Sequence, residues 1–167
     1  MKLMIASDIH GSAFWCRKLV DAYEQEQPDK LLLLGDVLYH GPRNDLPEGY
    51  DPKGVIAMLN PLKEHILCVR GNCEAEVDQM VLDFPCMADY AVLWADGRTI
   101  IAAHGHREHP IPAAGELLVT GHTHVTLDRM EDGVRHLNPG SVSLPKEGTP
   151  RGYILIENGE VSFKVIQ

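Results

Sequence analysis

Long apolar runs are missing from this chain of 167 residues. No stretch approaches the roughly 20 residues that a membrane-crossing helix needs, so no membrane partner is expected. The opening segment, Met1 to Asp8, is too short and too soon charged for the apolar core of a signal peptide. Blocks of Lys or Arg are missing as well. Fifteen basic side chains stand against 24 acidic ones, a net charge of −9. That balance counts against an extended nucleic acid, because phosphate backbones are bound by clustered cations. A small phosphate ester is not excluded in the same way, since bound divalent cations reverse the local field. Cysteine is scarce. Cys16, Cys68, Cys73 and Cys86 show no paired spacing, so free thiols in a reducing compartment are expected and the location is read as cytoplasmic. No linker, repeat or low-complexity stretch interrupts the chain, and residues 1–167 are read as one domain long enough to bury a core.

What is present is a recurring pattern. Five short apolar runs each end in a glycine beside a residue that can bind a metal. Residues 3–6 lead into Asp8-Ile9-His10-Gly11, residues 31–34 into Gly35-Asp36, and residues 66–69 into Gly71-Asn72-Cys73-Glu74. Residues 100–103 lead into His104-Gly105-His106, and residues 117–119 into Gly121-His122-Thr123-His124. Runs of this length bounded by glycine read as buried strands. In parallel α/β sheets the ligand site lies outside the carboxyl ends of the strands. Five strand ends would therefore deliver carboxylates, imidazoles and an amide to one crevice.

Around these runs, the first half is helical and the second half is built of hairpins. Ser12 is placed to cap a helix to about residue 25, with Cys16, Leu19, Val20 and Tyr23 on one face. Asp51-Pro52 reads as the start of a second helix carrying Val55, Ile56 and Leu59, interrupted at Pro61. Between them, residues 39–50 form a long loop. Later strands are expected over 90–94, 99–103, 117–120, 126–130, 134–137, 153–157 and 161–165. Asp96-Gly97, Asp132-Gly133 and Asn158-Gly159 separate them and are strong hairpin signals. Two mixed sheets packed face to face with helices outside accommodate both halves, whereas one doubly wound sheet accommodates the hairpins poorly.

Asp8 and His10 are two residues apart, as are His122 and His124, so on a regular strand each pair would share a face. Aspartate with histidine suits Mn²⁺, Fe or Zn²⁺ better than Mg²⁺ or Ca²⁺, which favour all-oxygen shells. Asp36 follows a glycine and could bridge two ions with its two oxygens, and Asn72 offers a neutral oxygen. In their order, Asp8-Ile9-His10, Gly35-Asp36, Gly71-Asn72, His104-Gly105 and Gly121-His122-Thr123-His124 resemble the motifs of the calcineurin-like metallophosphoesterases. The short length and the late Asn138-Pro139-Gly140-Ser141 resemble its small bacterial and archaeal branch.

The resemblance implies an α/β four-layer αββα sandwich and two divalent metal ions, with Mn²⁺ expected and Fe or Zn²⁺ as alternatives. It implies that Asp8, His10, Asp36 and His124 hold one ion, and that Asp36, Asn72, His104 and His122 hold the other. It also implies a small phosphodiester substrate, attacked in line by a hydroxide shared between the ions, and a homo-oligomer. A phosphomonoesterase or nucleotidase on the same site is the alternative. A scaffold subunit of the retromer resembles the same fold and serves as an interaction surface, so a non-catalytic module is the rival from another class. Other phosphatase chemistry, with Asp8 as nucleophile, wants a carboxylate where His10 stands, and no Gly-x-Ser-x-Gly marks a serine hydrolase.

One departure stands out. Most of the family has histidine directly after the asparagine, credited with assisting the leaving group, and this chain has Cys73. A thiol near dications tends towards thiolate, a poor proton donor, so activated diesters are expected to be cleaved best. Asn72 and Arg43 are candidates for substrate contact, Arg43 through a bidentate grip on a phosphate oxygen pair. Cys73, His40 and His106, beside the motifs, complete that set. Asn138-Pro139-Gly140 reads as a type II turn with Ser141 capping it.

Overall fold

The structure is a computed structural model that describes residues 1–167. Its first sheet holds β1 (Leu3–Ala6), β2 (Lys30–Leu33), β3 (Ile66–Cys68), β9 (Gly152–Glu157) and β10 (Glu160–Val165), in the order β10-β9-β1-β2-β3. Strands β1, β2 and β3 are parallel, and β9 and β10 extend the sheet antiparallel. The second sheet holds β4 (Tyr90–Ala95), β5 (Arg98–Ala103), β6 (Leu117–Thr120), β7 (Thr126–Glu131) and β8 (Val134–Pro139), in the order β4-β5-β6-β8-β7. Here β5, β6 and β8 are parallel, and hairpins attach β4 and β7.

Strand alternation explains how the sheets stack. Leu3, Ile5, Leu32 and Ile154 meet Ile100, Ala102, Leu117 and Val119 of the second sheet in the core between them. Their neighbours Met4, Ala6, Leu31 and Leu33 face the other way. Those are covered by α1 (Ala13–Glu26) and α2 (Pro52–Leu59) through Cys16, Leu19, Val20, Val55 and Leu59. Both faces of β1 and β2 are buried, which is why they read as continuous apolar runs rather than alternating ones. The fold class is the expected one, two mixed sheets with helices outside, and the helices concentrate on the first sheet. No helix is long and apolar enough to cross a membrane.

Local signals hold with small changes. Ser12 Oγ accepts the Trp15 N–H at 3.2 Å and starts α1 as expected. Asp51 takes the cap position of α2 without a side-chain cap bond. α2 ends at Leu59, interrupted ahead of Pro61 as expected, and the chain continues as a 3₁₀ segment, Asn60–His65, in whose first turn the missing N–H of Pro61 costs nothing. All three hairpin pairs have φ near +50° then +80°, the double left-handed geometry that Asp-Gly and Asn-Gly favour. A short helix, α3 (Glu76–Val81), has no counterpart in the sequence reading. Its Val77 and Met80 face solvent and its buried residue is Asp78, so no apolar periodicity announces it.

Candidate metal centre

The loops after β1, β2, β3, β5 and β6 converge, but not by strand alternation. β1 ends at Ala6, and Asp8, His10, His122 and His124 all lie beyond strand ends with φ between 50° and 66°. The shared-face reading of these pairs is therefore replaced by left-handed loop geometry. Such φ values at non-glycine residues are costly and persist only where the surroundings over-determine them. Those surroundings are visible. His10 N–H donates to Asp36 O at 2.8 Å and Asp8 N–H to Gly35 O at 3.2 Å. Ser141 Oγ donates to Asp8 O at 2.7 Å and Ser143 Oγ to the same oxygen at 3.2 Å. β8 runs on to Pro139, Gly140 has the positive φ that a type II turn needs at its third residue, and Ser141 Oγ both donates to Asp8 O and accepts the N–H groups of Ser143 and Leu144.

Three imidazoles share one arrangement. Nδ1 of His10 lies 2.8 Å from Tyr39 O, that of His104 2.6 Å from Leu34 O, and that of His124 2.7 Å from Leu144 O. A carbonyl can only accept, so each Nδ1 carries the proton and, in the neutral ring, each Nε2 presents a lone pair inward. Backbone carbonyls orient metal-binding histidines in this way. The Nε2 atoms of His10 and His124 face each other at 3.1 Å, and Asp8 Oδ1 lies 3.4 Å from the first and 3.1 Å from the second. Asp8 Oδ2 accepts from Ser7 Oγ at 2.6 Å and His122 N–H at 3.0 Å, whereas Oδ1 is buried without a hydrogen-bond partner. Facing lone pairs and an orphaned carboxylate oxygen are what a cation would join.

A second cluster adjoins the first through Asp36. Its Oδ2 lies 3.6 Å from His10 Nε2 and 3.4 Å from His104 Nε2, and its Oδ1 accepts the Cys73 N–H at 2.8 Å. Asn72 Oδ1 is 3.1 Å from His104 Nε2. Three groups could each hold an ion: Asp8 with His10 and His124, Asp8 with Asp36 and His104, and His10 with Asp36 and Cys73. His122 joins none of these groups, although its ring lies 5.0 Å from that of His104. Glu74 stands behind Asp36. It is buried, and its carboxylate accepts the N–H groups of Asp36, Val37 and Gly71.

Burial works against charge throughout this cluster, and the neighbours decide the balance. It would raise Asp8, but His10 and His124 outweigh it and hold that carboxyl well below the usual range. Asp36 is likewise lowered, burial being overcome by His104. Burial would lower His104, but Asp36 and Asp8 raise it to about 9. Glu74 is pushed up to about 7 by burial, reinforced by Asp36. Raised groups contribute stability that is complete below their unfolded values, about 4.3 for Glu and 6.5 for His, and that is lost as pH rises through the folded ones. Lowered carboxyls lose theirs as pH falls below about 4. Chelated, metal-free protein is therefore expected to be most stable near pH 5 and to be several kcal/mol less stable by pH 9, Glu74 and His104 both contributing. Urea unfolding at the two pH values checks this, and a flat profile would contradict it.

The calcineurin-like phosphoesterase superfamily domain matches residues 1–160, nearly the whole chain. The chain belongs to this superfamily. It is 43% identical to the Escherichia coli K12 phosphodiesterase YfcE over 166 residues, 97% of this chain and 90% of that one. The solved structure of E. coli YfcE superposes with a TM-score of 0.92 at 38% identity, covering 100% of both chains. Vps29 of Entamoeba histolytica, solved with zinc, shares the fold at a TM-score of 0.62 and 18% identity, covering 98% of this chain and 97% of that one.

Beside this cluster of candidate ligands, the expected substrate contacts are placed unevenly. Arg43 lines the cleft next to Asp36, Asn72, His122 and His124. Burial first, then His104, lowers His122, and Arg43 adds to that effect. His106 rests its ring 5.3 Å from that of His104. His40 is instead packed against Tyr39 and Tyr50, with Nδ1 buried and unpartnered. Cys73 Sγ accepts from Asn72 Nδ2 at 3.3 Å, and burial together with Asp36 pushes its thiol up, opposite to the pull of a dication. Lys146 also lines the cleft. Sequence reasoning missed it, because it sits in a proline- and glycine-bounded loop with no periodicity, and only the fold brings it to His124.

Proposed function

We propose that this protein is a binuclear metal-dependent phosphodiesterase for small phosphodiesters, with activated leaving groups preferred. The convergence of inward Nε2 atoms on the orphaned Asp8 Oδ1 supports this reading most directly. Asp8, His10, Asp36 and His124 would hold one ion, and Asp36, Asn72, His104 and His122 the other. Mn²⁺ is the expected ion, with Fe or Zn²⁺ as alternatives. When bound, such a pair supplies charge against phosphoryl oxygens and a hydroxide at neutral pH for in-line attack on phosphorus. Asn72 presents its amide at the cleft, where it can orient a phosphoryl oxygen, and Glu74 holds the Asp36 and Gly71 backbones in place.

The name of the E. coli relative favours a diester over a monoester. The residue after Asn72 is a cysteine rather than an imidazole, and beside dications its thiol tends towards thiolate, so the leaving group receives little help. Hydrolysis of bis(p-nitrophenyl) phosphate is therefore expected to need metal loading and to exceed that of p-nitrophenyl phosphate. Across a series of aryl esters, the rate should fall as the leaving-group pKa rises. Assays on chelated protein reloaded with Mn²⁺, Zn²⁺ or Mg²⁺ test this. No turnover with any ion would favour the non-catalytic scaffold reading, and a flat leaving-group series would remove the role given to Cys73.

A further inference from the structure

We infer that Arg43 and Lys146 form an anion subsite beside the metal centre, so that the preferred substrate is a small phosphodiester carrying a second phosphate group. This rests on the phosphodiesterase reading. The cleft at the centre measures about 280 Å³, and none of its lining residues is apolar. That is at the small end of the roughly 300–1,000 Å³ of small-molecule sites. An aryl or acyl group placed there would bury nothing against apolar surface, whereas a compact, charged substituent suits both its size and its lining.

Both cations are held on ordered backbone. The turn that carries Arg43 is closed by Asn44, whose N–H donates to Gly41 O at 3.4 Å and whose Nδ2 donates to His40 O at 2.8 Å. Lys146 N–H donates to the carbonyl of the ligand candidate His124 at 3.0 Å, and Lys146 O accepts from Thr149 N–H at 3.0 Å and Thr149 Oγ1 at 2.9 Å. Neither side chain forms an ion pair with a carboxylate of the protein. In a chain of net charge −9, two unpaired cations therefore stand at one cleft. A diester brings a single negative charge, and two divalent ions held by Asp8 and Asp36 and carrying one hydroxide would already balance it. The charge of Arg43 and Lys146 is left for another anion, which Arg43 can grip bidentately.

The probes are thymidine 5′-monophosphate and thymidine 3′,5′-bisphosphate, titrated calorimetrically into Mn²⁺-loaded protein. The bisphosphate is expected to bind about 10-fold tighter or more, the yield of one charge-assisted contact. That advantage should shrink between about 50 and about 300 mM salt, since both cations are exposed to screening. It should be lost in the double variant Arg43→Gln/Lys146→Gln. In kinetics, the p-nitrophenyl ester of thymidine 5′-phosphate should gain in KM, rather than kcat, from an added 3′-phosphate. Equal binding of the two probes, or a double variant that weakens both alike, would overturn the subsite. Absence of ester hydrolysis would count against the phosphodiesterase reading, while the binding comparison would still decide the subsite.

Discussion

Replacement of Asp36 by alanine is expected to lower kcat on bis(p-nitrophenyl) phosphate by about 10³-fold or more. Asp36 is the group common to both halves of the cluster, with Oδ2 3.6 Å from His10 Nε2 and 3.4 Å from His104 Nε2. A metal's stabilisation of transition-state charge amounts to several kcal/mol, and about 1.4 kcal/mol corresponds to tenfold in rate. If Asp36 is shared between two ions as proposed, its loss should be felt at that scale. Asp8, His10 and His124 remain in the variant, so metal content should fall towards one ion per chain rather than to none. Asp36→Asn keeps an oxygen for the Cys73 N–H while removing the charge. A comparable fall in both variants, with unchanged circular dichroism, would assign the effect to charge. Activity within tenfold of the parent would contradict a bridging position for Asp36.

Gly71→Ala is expected to be as damaging without touching any proposed ligand. A Cβ there would collide with Asp36 Oδ1 and lie 2.5 Å from Asp36 N and 2.8 Å from Glu74 Oε2. None of these atoms is free to move, because Asp36 N–H is bonded to Glu74 and Asp36 Oδ1 to the Cys73 N–H. Overpacking of this kind costs about 1–3 kcal/mol, and here it is relieved only by displacing Asp36. Loss of about 3 kcal/mol in urea unfolding and of most of the activity is the expected result. Gly97→Ala is the control. No atom lies within 4 Å of its Cβ and its φ is +79°, so it carries only the left-handed penalty of about 1–2 kcal/mol. Equal behaviour of the two variants would remove the argument from close approach.

Legibility in the sequence followed the range of the interaction. Strands β1, β2, β5 and β6 were readable because each is a short apolar run closed by glycine. The three hairpins were readable because their turns need two left-handed residues in succession, which Asp-Gly and Asn-Gly supply locally. α3 was not, because it buries Asp78 and exposes Val77 and Met80. Arg43 carried a signal in its loop beside a motif, and Lys146 carried none.

The centre divides in the same way. Residue types and their order in the chain determined which donors exist: Asp8, His10, Asp36, Asn72, His104, His122 and His124. Spacing alone misplaced Asp8, His10, His122 and His124, because a two-residue interval predicts a shared face only where the backbone is extended. The tertiary structure decided that these residues turn left-handed, that carbonyls of Tyr39, Leu34 and Leu144 set three imidazoles inward, and that Glu74 holds the Asp36 loop. Each of those outcomes depends on hydrogen bonds between segments far apart in the chain, and no local propensity encodes such a bond.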